Sequence, residues 1–160
     1  MVYNTILGIV QQEEDAEEIT QDVFLKVYES VENFRGDAKL SSWIYRIAVN
    51  KSLDFLRKRK AHKNFFLALF NGHREASSEK DFHHPGVSIN RKEDAAVLFK
   101  AIEKLPSQQK AAFVLQKLEG QSVSEIAAIL DTTSKAVESL LSRAVKNLKL
   151  WLDDYYKINY

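Results

Sequence analysis

Apolar positions along the chain recur at three- and four-residue spacing and almost never alternate, a pattern that calls for helices rather than strands. From residue 16 onward Ile19, Val23, Val27 and Val31 form one stripe, with Phe24 and Tyr28 beside it and Glu18, Asp22 and Glu29 on another face. This helix is expected to end near residues 33–36. Ser41 or Ser42 can cap a second helix over residues 43–60, which carries Ile44, Ile47, Ala48 and Phe55 on one face and Arg46, Asn50, Asp54 and Arg57 on another.

Between residues 63 and 94 the periodicity breaks. An apolar run at residues 65–70 precedes Asn71-Gly72 and a polar stretch holding His73, His83, His84 and Pro85, which reads as a linker. The run itself either continues the preceding helix, packed on the first half, or forms a clasp between two halves; the first is preferred. Beyond the linker, Val97, Ala101 and Leu105 mark a short helix stopped by Pro106. Pro106 then suits the first helical position of a helix over residues 107–118, with Gly120 as its stop. Ser122-Val123-Ser124-Glu125 fits a capping box and opens another short helix over residues 123–130. After the turn Asp131-Thr132-Thr133, a last helix over residues 134–153 carries Val137, Leu140, Leu141, Ala144 and Leu148 as its buried stripe.

With 160 residues, 45% of them hydrophobic, the chain suits one ordinary domain or two small ones. Zero cysteines exclude disulfide scaffolds, thiolate zinc sites, thiol nucleophiles and iron–sulfur clusters. The start is apolar but has no Lys or Arg, so it does not read as a signal peptide, and no run of about 18 apolar residues offers a membrane span. A soluble, cytoplasmic protein without membrane insertion is expected. The net charge of +1 argues weakly against a nucleic-acid partner, yet it conceals a split. Residues 1–40 hold three basic and nine acidic side chains, whereas residues 41–64 hold seven basic ones against Asp54 alone. Two opposed surfaces cancel in the total.

The two short helices around Asp131, the second longer, have the outline of a helix-turn-helix. Ala127 is small where the helices cross, Ile126, Leu130, Val137 and Leu140 can fill the core of the pair, and Thr133 can cap the second helix. Asp131 stands where Gly often does, and Asp tolerates a left-handed backbone better than most residues. On this reading the second helix enters a major groove while Arg143 and Lys146 hold phosphates. The alternative is a plain helical hairpin packed on its neighbours. In the first half, Trp43 and Tyr45 combine with Arg57-Lys58-Arg59-Lys60 as stacking and phosphate-binding groups would for single-stranded nucleic acid. By composition alone, core aromatics and a solvated helix end explain them better.

Order along the chain decides between these readings. Asp15-Ala16-Glu17-Glu18, Gln21-Asp22-Val23-Phe24, Phe34-Arg35-Gly36 and Trp43-Ile44-Tyr45-Arg46-Ile47-Ala48-Val49-Asn50, followed by a basic run, a linker and a terminal helix-turn-helix, closely resemble a bacterial sigma factor of the extracytoplasmic-function (ECF) group. The resemblance covers residues 2–60 and 97–150. It implies an all-α fold of two small helical domains: region 2 at residues 1–62, its first helix incomplete by the family's pattern, a linker at 63–96, and region 4 with its helix-turn-helix at 97–160.

It also implies a function, that of a promoter-specificity subunit that binds core RNA polymerase and directs initiation. Glu14, Asp15, Glu18, Gln21 and Asp22 fall where the family docks on the β′ clamp helices. Phe34, Arg35, Lys39, Trp43, Arg46, Asn50, Asp54, Arg57, Lys58 and Arg59 match the part that captures and melts the −10 element, with Lys60 on backbone phosphate. Thr133, Lys135, Glu138, Ser139, Ser142, Arg143 and Lys146 match the part facing the −35 element, with neighbouring helices on the β flap. Many members are basic where this chain has Glu138 and Leu140, so Glu138 would favour a cytosine amino group. An anti-sigma factor is a further candidate partner, since the family often has one. No cofactor and no enzymatic activity are implied. A stand-alone helix-turn-helix regulator acting on duplex DNA without polymerase is the alternative. Asp81, His62, His73, His83 and His84 match no metal-site spacing, and a polar linker accounts for them better.

Overall fold

A computed structural model of the protein describes residues 1–36, 39–69 and 92–159, and every regular element among them is helical. In order these are α1 (Val2–Val10), α2 (Glu13–Ser30), α3 (Leu40–Leu69), α4 (Lys92–Glu103), α5 (Ser107–Lys117), α6 (Val123–Ile129) and α7 (Ser134–Asn159), with a 3₁₀ turn at Val31–Asn33 prolonging α2. The two-part, all-α architecture expected from the sequence is the one observed.

Helices α1, α2 and α3 pack on one another as an N-terminal bundle around Ile6, Leu7, Ile19, Val23, Ala48 and Val49. α2 starts at Glu13, ahead of its expected start, with Glu13, Glu14 and Asp15 in its first turn. Carboxylates there complement the helix dipole. Its buried stripe is Ala16, Ile19 and Val23 with Val27 half-buried; Val31, expected in the stripe, is exposed where the helix tightens to 3₁₀.

α3 is longer than its periodicity indicates. Ser41 and Ser42 lie inside its first turn instead of capping it, since the Trp43 amide already donates to the Lys39 carbonyl at 3.1 Å. At its other end the helix continues to Leu69, so the apolar run does prolong it. Of that run, Phe65 and Phe66 do not show the expected packing on the first half, being 66% and 45% exposed. Phe70, and His73, Asp81, His83 and His84, lie outside the described residues.

In the C-terminal half, α4, α5 and α7 enclose Phe99, Ile102, Leu105, Phe113, Ala144 and Leu148. Pro106 is the residue before α5 and not its first helical one; its extended backbone turns the chain between α4 and α5. Gly120, at φ 67°, sits just past the end of α5, where the Glu119 and Gln121 amides return to the Val114 and Leu115 carbonyls. The Ser122–Glu125 capping box is present in both directions. Asp131 adopts φ 52°, the left-handed turn expected of it, and the Thr133 hydroxyl accepts from the Ala136 amide at 3.2 Å. α7 runs on past residue 153 to Asn159.

The two halves share a core. Ala111, Val114, Leu115, Ile126 and Val137 are buried in one cluster with side chains of α1, α2 and α3. All positions from 110 to 115 of α5 are buried, which a helix achieves only when covered on every side. Gly8 permits a close approach: a Cβ there would meet Val114 Cγ1 at 3.0 Å and Leu118 Cδ1 at 3.1 Å.

Candidate nucleic-acid and partner interfaces

Trp43, Arg46, Asn50, Asp54 and Arg57 follow one another at three- or four-residue steps and so form a single stripe along α3, with Lys39 four residues before Trp43, just ahead of the helix. At its start the Phe34 and Trp43 rings lie 5.2 Å apart between centroids, a tilted aromatic pair beside the exposed Arg35. Further along, Asn50 is exposed, and Asp54 accepts from Arg57 Nη1 at 2.7 Å. Lys58 and Lys60 point to solvent. Arg59 turns back toward α2, 3.4 Å from Asp15 Oδ2 and with its guanidinium 5.9 Å from the Phe55 ring centroid.

Part of this stripe is occupied by the other half of the chain. Lys39 Nζ donates to Glu125 Oε1 at 2.9 Å. Arg46 donates to the Ala128 carbonyl at the end of α6. Beside them the Tyr45 hydroxyl donates to Glu119 Oε2 at 2.8 Å, and burial, then that carboxylate, push the phenol well above the ordinary tyrosine range. Glu125 is held down to about 2, chiefly by Lys39 and then by the backbone and hydroxyl of Ser122.

On α7, Lys135, Glu138, Ser139, Ser142, Arg143 and Lys146 are all exposed, and Thr133 is exposed at the helix start. Val137, Leu141, Ala144 and Leu148 are buried on the opposite side. The polar face of the second helix of the helix-turn-helix is therefore open, anchored from behind by an apolar stripe and by Asn147 donating to Gln109 at 2.9 Å.

The acidic residues of α2 divide. Glu14, Glu18, Gln21 and Asp22 are exposed, while Asp15 is half-buried against Arg59. Asp22 also pairs with Lys51 at 3.3 Å, so part of the opposition between the acidic and basic segments is satisfied within the bundle. Sequence reasoning missed an apolar patch beside them: Phe24, Leu25, Tyr28, Val31 and Leu40 are between 47% and 83% exposed. A signal for it is present, since Phe24, Tyr28 and Val31 are spaced as a second stripe, offset from Ile19 and Val23, on a helix with one buried face. The contacts of Glu119, Glu125 and Ala128 have no such signal.

Among the described residues no group of three or more His, Asp or Glu side chains is placed to hold a metal ion, and no helix is long and apolar enough to cross a membrane.

Comparison with known proteins covers both halves. Residues 1–62 match the Sigma-70 region 2 family and residues 96–148 match Sigma-70 region 4. The ECF RNA polymerase sigma-E factor of Escherichia coli (strain K12) is 31% identical over 133 residues, 81% of this chain and 70% of the relative. That of Haemophilus influenzae is 29% identical over 147 residues, covering 88% and 78%. In fold, the chain is similar to the sigma factor RpoE solved with the anti-sigma factor NepR from Bartonella quintana, with TM-score 0.71 and 20% identity over 95% of this chain and 89% of the other. It is also similar to CnrH in complex with the cytosolic domain of CnrY, with TM-score 0.66 and 24% identity over 96% and 80%.

Proposed function

Since the chain belongs to the ECF sigma factors, we propose that it binds core RNA polymerase, recognises the −35 and −10 promoter elements, melts the latter and directs transcription initiation. The observation that carries this reading is the pairing, in one chain, of an aromatic and basic stripe on α3 with an open polar face on α7.

Each surface suits one task. The exposed face of α7 has the dimensions for a major groove, where Lys135, Glu138, Ser139, Ser142 and Arg143 reach base edges and Thr133 and Lys146 hold backbone. Phe34 and Trp43 supply stacking surface for unpaired bases, Arg35, Lys39, Arg46, Arg57, Lys58 and Arg59 supply phosphate attraction, and Asn50 and Asp54 can read a base by hydrogen bonding. Unpairing costs a few kcal/mol, which binding of the displaced strand offsets without covalent chemistry. The patch of Phe24, Leu25, Tyr28 and Val31, flanked by Glu14, Asp15, Glu18, Gln21 and Asp22, joins apolar area to negative charge and suits a basic, partly apolar protein surface such as the β′ clamp helices. Helices around α7 serve the β flap, and an anti-sigma factor is a further partner on this reading, in keeping with the anti-sigma complexes of the structural neighbours.

Reconstitution with core polymerase on genomic DNA, followed by sequencing of the transcripts, tests the proposal. Discrete start sites preceded by shared −35 and −10 sequences are expected, and absence of promoter-dependent initiation defeats it. Asn50→Ala should lower opening at the −10 element about tenfold or more, while Glu138→Ala should change −35 preference by about 1–3 kcal/mol at one base pair. If initiation fails but the isolated chain binds a short duplex specifically, the stand-alone regulator is the better account.

A further inference from the structure

α3 extends beyond the bundle it helps to form. Leu53 is buried and Phe55 and Leu56 are half-buried, but every residue from 57 to 66 is exposed, on all sides of the helix for about three turns. The composition of this projection changes along its axis and not around it. Five of the seven residues from 57 to 63 are Lys or Arg, and no acidic residue occurs between Asp54 and Glu75. Asp54 holds Arg57 and Asp15 holds Arg59, while Lys58, Lys60 and Lys63 are exposed and make no ion pair among the described residues. After Asn64 comes Phe65-Phe66-Leu67-Ala68-Leu69, a run without a polar side chain whose two phenylalanines are exposed.

We propose that this end of α3 is a peripheral membrane-docking tip: its cations meet the headgroups of anionic lipids, and the Phe65–Phe66 end enters the boundary just beneath them. The contact is with one face of a bilayer, since no helix among the described residues is long and apolar enough to cross it. Charge complementarity supplies the first half of the argument, because an anionic leaflet attracts clustered Lys and Arg by about fivefold in affinity for each one near the surface. Exposed apolar area supplies the second, and interfacial binding scales with the two together.

Three features favour a bilayer over a nucleic acid. Consecutive helix positions are about 100° apart, so five apolar positions in a row go round the whole circumference. A groove covers one side of a helix, whereas a lipid boundary surrounds a tip. Along the axis the run spans about 6 Å at 1.5 Å per residue, which fits the depth of about 5–10 Å to which interfacial helices bury their apolar parts. Finally, the run has no hydrogen-bonding side chain with which to hold a base, and only its two phenylalanines can stack.

Sedimentation of the full chain with vesicles of phosphatidylcholine, with and without phosphatidylglycerol, tests the proposal. Wild type should bind the mixed vesicles about tenfold or more tightly than phosphatidylcholine alone. Phe65→Ser combined with Phe66→Ser should weaken binding to mixed vesicles about tenfold or more, and Lys63→Gln about fivefold. Because both phenylalanines are exposed, the double variant should keep the urea midpoint of wild type and should initiate transcription with core polymerase as wild type does. Phe65→Trp reads depth: lipids brominated on their acyl chains should quench its emission beyond any quenching of Trp43 and Trp151 in wild type. Equal binding to both kinds of vesicle overturns the proposal, as does undiminished binding by the double variant, which a basic surface adsorbing through charge alone would show. If the double variant keeps its vesicle binding but loses affinity for a single-stranded oligonucleotide, the tip is a nucleic-acid platform and the proposal falls. A loss of initiation with vesicle binding intact would assign the phenylalanines to polymerase and overturn it equally.

Discussion

Glu125 serves two structures at once. Its carboxylate closes the capping box by accepting from the Ser122 amide at 3.0 Å, and it accepts from Lys39 on the other half of the chain at 2.9 Å. Both interactions favour the ionised form, which is why its pKa falls from 4.5 to about 2. For a carboxyl with a depressed pKa, the associated stabilisation is complete above the ordinary value of 4.5 and disappears as the pH falls through about 2. Lys39→Met removes the leading cause and leaves the Ser122 bonds. NMR titration of the Glu125 carboxyl should therefore show its pKa rising in that variant while staying below 4.5. No change would mean that the two side chains do not meet in solution. The residues around Glu125 announce the cap, because a capping box is a four-residue pattern. Nothing near it announces Lys39, which is 86 positions away.

Among the elements, the helix-turn-helix depends most on a single backbone conformation. The turn from α6 to α7 passes through Asp131 at φ 52°, after which the Thr132 amide returns to the Ala127 carbonyl and Thr133 caps α7. A left-handed backbone costs an L-residue about 1–2 kcal/mol, most for a β-branched side chain. Asp131→Val should thus lower stability by about 1–2 kcal/mol and reduce −35 duplex binding with it, while Asp131→Gly should leave stability at or above wild type. Urea unfolding of the two variants checks this, and equal midpoints would show that the turn is not strained. Both helices of this unit are legible in the amino-acid sequence, since caps, turn and apolar stripe lie within thirty or so residues of one another. α3 is less so. Its interior stripe is clear, but Ser41 and Ser42 resemble caps while lying within the first turn.

For the whole molecule, the packing of α5 against both halves creates an unusual position at Lys110. This residue is 5% exposed, and its ammonium is pulled down from 10.5 to about 8, first by desolvation and also by Arg59 of α3, with Glu103 opposing. At neutral pH the charge is retained in both folded and unfolded chains, so the folded state carries the full penalty, of order 3 kcal/mol at about 1.4 kcal/mol per pH unit. Between about pH 8 and the unfolded value of 10.5 the unfolded chain binds the extra proton, and stability from this group rises with pH. Lys110→Met should be more stable than wild type at about pH 7, and the gap should narrow toward about pH 10. Urea unfolding of both proteins across that range checks it; a constant gap would show that Lys110 is not a buried charge. Such a residue cannot be found from periodicity, which marks Lys110 only as a polar position between Gln109 and Ala111.

Local sequence suffices for the helical class, the order of the elements, the capping box, the left-handed turn at Asp131 and the polar face of α7. All of these follow from interactions between residues a few positions apart, and the family's motifs are likewise contiguous. Which apolar residues are buried is a matter for tertiary packing: α2 shows Phe24 and Tyr28 to solvent, and the Phe65–Phe66 pair stays exposed although its helix continues. Packing also makes α5 and α6 the elements that join two bundles into one core, with Glu119, Glu125 and Ala128 placed on Tyr45, Lys39 and Arg46. Burial and docking depend on surfaces that meet across some eighty positions of chain, and helical periodicity reports which face of a helix is apolar but not what that face meets.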